Sequence, residues 1–374
     1  MASRTPSRRG QWLVTLTIAS VAVAFVALDG GGATRRWARR VGLASPEPSV
    51  TPSAAPSSAP RDLSTATAVV SPSAAPTPDS GARVAALEGD DAAAAPDTRA
   101  APFSFGDVTY TETDCDVLAD VSALASAHVA GKTRPTVVGL SRARYPIGSP
   151  FIAAQDDAQL RAWFVGAPDS FEGVASRFEA AVHEGSHVWV AKHSTGRVVR
   201  YPVREDLTVE VRRLRNFDRS EILAAHLDPE RDTYAKVYLE GVSGAQGFNT
   251  LLDEYNAYTH SLASRYCTRD LVPPSTRTSA RDGILTMMYY VETYLALART
   301  KHPKDYAAIL ADAGHRRLIL TVWARAELWL RRSASSRALG IRDEEIARWV
   351  YEPSRLEEVA RVRDASTSRD AGRD

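Results

Sequence analysis

Residues 170–192 read Ser-Phe-Glu-Gly-Val-Ala-Ser-Arg-Phe-Glu-Ala-Ala-Val-His-Glu-Gly-Ser-His-Val-Trp-Val-Ala-Lys. Phe171, Val174, Phe178, Ala181, Val182, Gly185, Val188 and Trp189 recur at spacings of three and four, which marks one buried helical face. Asp169 or Ser170 supplies an N-cap, so the pattern predicts a helix from about 170 to 192. Gly185 falls on the apolar stripe, where a missing side chain lets another element come close. His183 and His187 stand at the border of the stripe, one turn apart on the same side of the helix. With Glu184 between them, residues 183–187 form the pattern His-Glu-x-x-His.

That spacing lets two imidazoles reach a single Zn²⁺ while Glu184 faces a water on the open coordination position. Zinc lowers the pKa of such a water to ~7, and the glutamate takes its proton as it attacks a carbonyl. A catalytic zinc needs a third protein ligand. His183 to His193 spans the interval of the extended metzincin motif, but Val190 stands where that motif turns at a glycine. A β-branched residue resists the positive φ of such a turn. On an uninterrupted helix His193 points well away from His187.

The other candidate is Glu254, in Leu251-Leu-Asp-Glu-Tyr-Asn-Ala-Tyr-Thr-His. Here, through His183, Glu184, His187, Glu254 and Ala257, the chain resembles the gluzincin branch of the zincin metallopeptidases. The resemblance covers roughly residues 150 to 270 and reaches no single family within that branch. It implies that a glutamate on a later helix is the third ligand and that a small residue three positions on admits the motif helix. Two strands and more than sixty residues separate the motif from Glu254, so Asp253, Glu240 and His260 stay open as ligands. Tyr258, Tyr255 and His260 are candidates to stabilise an oxyanion, and Asn256 or Asp218 to orient an imidazole.

Outward from this helix, Asp116–Ala130 reads as a short helix, Thr136–Ser141 as a strand and Asp156–Val165 as a helix. After Gly196 the period changes to two, predicting strands at Arg197–Val203 and Leu207–Leu214. Ser220–His226 and Thr250–Tyr266 read as helices. Beyond Ala280 the chain is nearly all helical, with segments at 280–300, 304–313, 315–332 and 343–349. Gly241-Val-Ser-Gly-Ala-Gln-Gly is a flexible loop matching no dinucleotide or phosphate-binding fingerprint.

At the N-terminus, residues 12–28 carry no charge and follow Arg4, Arg8 and Arg9. This is a signal anchor or signal peptide, and Ser7-Arg8-Arg9 resembles a twin-arginine export signal. Arginines 35, 36, 39 and 40 balance those before the run, so charge gives no orientation. From about Ser45 to Ala101 the chain is Ala, Pro, Ser and Thr, too poor in large apolar residues to offset the entropy of ordering. Lys plus Arg number 46 against 45 for Asp plus Glu, a formal charge of +1, which leaves no broad footprint for nucleic acid. In an exported chain Cys115 and Cys267 pair, closing a loop of about 150 residues worth at most ~5 kcal/mol.

The reading is an α+β chain. Residues 1–29 form the anchor, 30–101 a disordered linker and 102–275 a zincin-like head with a small sheet. Residues 276–362 form a helical region and 363–374 a disordered tail. The expected activity is that of a zinc-dependent metallopeptidase outside the cytoplasm. It is membrane-anchored or secreted and acts on peptide or protein substrates through Glu184 on zinc held by His183, His187 and Glu254. The rivals are a tethered binding or scaffold protein with a degenerate zincin fold, and a structural envelope protein whose histidines are incidental.

Overall fold

The computed structural model describes Glu112, residues 115–273 and residues 279–370, with side chains to 366. The expected anchor at 12–28 and the linker at 30–101 lie outside the described residues. Among the described residues no helix is long and apolar enough to cross a membrane. The chain is mostly helical with one two-stranded sheet, an α+β arrangement.

Cys115 is bridged to Cys267, with a Cα separation of 5.1 Å across 152 residues of sequence. The bridge and a hydrogen bond from Tyr266 Oη to Asp116 Oδ1 pin residues 115–116 in a loop. Helix α1 therefore starts late, at Ser122–Ser126, where Asp120 accepts from both the backbone and hydroxyl of Ser122. This is shorter than the helix the sequence predicts. Reducing the bridge, or replacing both cysteines by serine, is expected to lower stability by about 2–5 kcal/mol. Chemical denaturation with and without reductant measures this, and a loss under about 1 kcal/mol would contradict it.

The expected strand at Thr136–Ser141 is a helix, α2 (Thr133–Arg144). Its buried residues Thr136, Val137, Leu140, Ser141 and Arg144 fall at helical spacing, and a short apolar run does not by itself separate strand from helix. Gly139 admits the Leu124 side chain, which would stand 2.5 Å from an added Cβ. A single 3-10 turn leads into α3 (Ser149–Ala154), and α4 (Asp157–Ala162) follows under a capping box of Asp156 and Gln159.

The motif helix, α5, spans Phe171–His193 with Ser170 as its N-cap, accepting from Gly173 N at 3.2 Å. Gly173 lies so close to Pro168 O that a Cβ would stand 1.8 Å from it. At Gly185 a Cβ would meet Gln155 Nε2 at 2.4 Å and Phe151 O at 2.7 Å, so α3 crosses the stripe there as the sequence suggests. Gln155 Nε2 donates to Ala181 O at 2.9 Å and fastens the crossing.

Strands β1 (Val198–Arg204) and β2 (Leu207–Arg212) pair antiparallel, with Val199 opposite Val211 and Tyr201 opposite Val209. Val199, Tyr201, Val203, Val209 and Val211 are buried on one face. The predicted helix at Ser220–His226 is a 3-10 helix over Arg219–Ala225. Two single-turn helices follow, α6 (Ala235–Tyr238) and α7 (Gly241–Gly244).

Helix α8 (Phe248–Cys267) is the centre of the fold, buried along almost its whole length. It packs on α5 and on β1, and further helices close over its other faces. These are α9 (Ala280–Lys301) and α11 (Ala313–Arg332), on which α10 (Pro303–Ala311), α12 (Asp343–Val350) and α13 (Pro353–Asp370) pack in turn. Pro202 O of β1 accepts from Asn256 Nδ2 at 3.1 Å and from His260 Nε2 at 2.8 Å, so the sheet is stitched to α8. Behind them a buried Arg325 pairs with Glu112 at 2.6 Å and donates to Tyr145 Oη at 2.8 Å.

Candidate metal centre

Helices α5 and α8 lie side by side and present His183, His187 and Glu254 to one another. Ala257, one turn after Glu254 on α8, has no exposed surface. His183 Nε2 and His187 Nε2 are 3.2 Å apart. Glu254 Oε2 is 3.5 Å from the first and 3.4 Å from the second. The three atoms thus form a nearly equilateral triangle. A tetrahedral ion with bonds of about 2.0–2.1 Å sets its donors about 3.3–3.4 Å apart. Among the described residues this is the group of three side chains able to hold a metal ion.

The outer nitrogens fix the imidazoles. His187 Nδ1 lies 2.8 Å from Asp253 Oδ2 and His183 Nδ1 lies 2.9 Å from Ser261 Oγ. With Nδ1–H donating outward, each Nε2 keeps its lone pair for the centre of the triangle. Glu254 Oε2 is buried and receives no hydrogen bond. Two ring nitrogens and a carboxylate oxygen thus converge on one point, a donor set that suits a cation.

Electrostatics agree. Burial alone would lower the His187 pKa, but the charges of Asp253 and Glu254 outweigh it and hold His187 well above its ordinary value. Burial alone would raise Glu254, but the neighbouring His187 and His183 carry it far below the usual carboxylate range. The pocket stabilises positive charge at the point where the three donors meet. Glu184 is half-buried beside them, with Oε2 unpartnered, and burial pushes its carboxyl above the usual range.

The alternative ligands lie elsewhere. Helix α5 runs unbroken through Val190, which is buried, and His193 stacks on Trp189 at 4.0 Å with Nδ1 bound to Trp189 O. Glu240 is exposed at the start of α7. His260 is enclosed by Pro202 O, Tyr145 Oη and Arg325, and burial followed by the Arg325 charge keeps it neutral. Asp253 meets the outer side of His187 instead of the triangle. Asn256 is committed to Pro202 O, and Asp218 is exposed, so neither orients an imidazole.

Of the three oxyanion candidates, only Tyr258 adjoins the triangle. Its ring packs edge-on to His183 at 4.7 Å, and its hydroxyl is bonded to Tyr238 Oη at 2.8 Å. Tyr255 is buried on another side of α8, in the field of Glu327 and Glu292. Gly283 of α9 holds Tyr258 in place, since a Cβ there would stand 2.4 Å from its ring.

Two contributions escaped the sequence reading. Ser261 lies two turns after Glu254 and so on the same helical face, a spacing that could have identified it. Asp253 drew notice as a ligand, not as an imidazole anchor. Asp253→Asn is expected to weaken zinc binding about 10–100-fold, because the anchor sets ring orientation and basicity. Competition with a zinc chelator measures this; an unchanged affinity would leave Asp253 no part in the site. No protein-family model, no curated protein and no solved structure matches this chain.

Proposed function

We propose that the chain is a zinc-dependent hydrolase of peptide bonds, with His183, His187 and Glu254 as metal ligands and Glu184 as general base. The observation that carries this reading is the triangle of donor atoms, 3.2, 3.4 and 3.5 Å on its sides. Two neutral nitrogens and one carboxylate, with a fourth position open, are the donor set of a catalytic zinc. When bound, zinc polarises a carbonyl and acidifies water. The chain's own residues do the rest. Ser261 and Asp253 keep both imidazoles aimed, and Glu254 supplies one negative charge. Glu184, its carboxyl raised by burial, takes a proton from the attacking water and passes it to the departing amine.

The cystine and the charge-free run at 12–28 support action outside the cytoplasm, with membrane attachment through the N-terminus. The expected partners are peptide or protein substrates.

Metal analysis tests the reading directly. The purified chain is expected to carry one zinc, and His183→Ala with His187→Ala to carry none. Stoichiometric zinc in the double variant would remove the metal assignment. Zinc without turnover on peptide libraries would instead favour the tethered binding protein.

A further inference from the structure

The segment Gly241–Gly247, whose first turn is helix α7, holds a buried arginine. Arg219 is 1% exposed. Its Nε donates to Ser243 O at 2.9 Å, its Nη2 to Ser243 Oγ, and its backbone N to Gln246 O at 2.8 Å. Glycine is required for this cradle. A Cβ at Gly244 would stand 2.4 Å from Leu239 O and 3.1 Å from Ser220 Cβ, and Gly241 has a φ of +56°.

One arm of the guanidinium is left over. Arg219 Nη1 is buried and has no hydrogen-bond partner. The guanidinium carbon lies 5.5 Å from the centre of the Tyr238 ring, and Tyr238 Oη is bonded to Tyr258, the residue packed against His183. The acidic side chains whose charge reaches Arg219 are Glu254 and Asp253. Glu254 belongs to the triangle, and Asp253 Oδ2 anchors His187. Neither takes up the Nη1 arm, so a buried cation keeps a spare donor, a costly state.

We propose that Arg219 recognises a carboxylate of the substrate, making the substrate class peptides or N-acylated amino acids with a free carboxylate close to the scissile amide. This rests on the hydrolase reading of the triangle. A carboxylate suits the planar guanidinium and would accept from the spare Nη1. A role in packing alone gives no selectivity between an acid and its amide.

The test uses full-length, zinc-loaded Glu184→Gln protein, in which bound peptides survive. A library of N-acetylated tripeptides is made once as free acids and once as C-terminal amides, and retained peptides are quantified by mass spectrometry. The acids are expected to bind about 10- to 100-fold more tightly. Adding Arg219→Met should abolish that preference, and Arg219→Lys should keep part of it, with thermal melts checking the fold of each. Equal retention of acids and amides overturns the proposal, as does binding of neither, or a preference that survives Arg219→Met. The acid-against-amide contrast needs no change at Arg219, so a variant that fails to fold does not spoil the test. Acid-selective binding without turnover by the unsubstituted protein leaves Arg219's assignment standing and removes the hydrolase reading. Turnover indifferent to the carboxylate does the reverse.

Discussion

Glu184→Gln should leave zinc content unchanged and lower peptide hydrolysis by about 10²–10⁴-fold, the usual contribution of a positioned acid–base group. The amide matches the carboxylate in size, so the helix and the three donor atoms keep their places. What it cannot do is accept a proton. Glu184 suits that task because burial raises its carboxyl and because Oε2 has no partner of its own. A carboxylate already engaged by an arginine or lysine would be a poor base at neutral pH. The variant is measured by metal analysis and single-turnover hydrolysis on one preparation. Activity within tenfold of the unsubstituted chain would leave Glu184 without the role, and loss of zinc would make it a structural residue of the site.

The three donors were legible because each obeys a helical rule. His183 and His187 follow from a spacing of four residues. Glu254 follows from its own helix with Ala257 one turn on, and Ala257 is fully buried on α8. Val190 argued against a turn, and α5 continues through it to His193. The depth of the site was not legible. The apolar stripe sets His183 and His187 at its border, yet both are buried, as are Ser186 and Val190, while Val188 and Trp189 are only half-buried. Helix α8 covers the flank of α5 that carries His183 and His187, while α3 crosses the stripe at Gly185. A single helix's periodicity does not reveal what a distant segment brings to its other side.

The same distinction runs through the fold. Long helices with sustained period were readable to within a few residues, as at Phe171–His193, Phe248–Cys267 and Ala313–Arg332. The hairpin was readable because Val199, Tyr201 and Val203 on β1, and Val209 and Val211 on β2, recur at every second position and are buried. Misreadings fell on short segments decided by distant contacts. Thr136–Ser141 has strand-like composition but packs Gly139 against Leu124, and Asp116 is held out of helix α1 by Tyr266 and the cystine. Arg219 shows the limit most sharply. Nothing local distinguishes it from an exposed arginine, and its burial depends on Ser243 and Gly244, more than twenty residues away.

Glu254→Ala is expected to weaken zinc binding by about 10³-fold or more, and His193→Ala to leave it within a factor of two or three. Structural zinc sites bind with about 10–16 kcal/mol, so losing one of three protein ligands removes on the order of 4 kcal/mol. The loss at Glu254 has a second part. Its carboxylate is the negative charge within the triangle, and two neutral imidazoles hold a dication poorly without it. His193 has neither role, being exposed, stacked on Trp189 and bound to the Trp189 carbonyl at the end of α5. Both variants are titrated with one chelator at one pH, beside Asp253→Asn as a reference of intermediate effect. A larger loss at His193 than at Glu254 would require α5 to break near Val190, and would move the chain from the gluzincin-like to the metzincin-like arrangement. Equal small losses would mean that the triangle of donors is not where the metal binds.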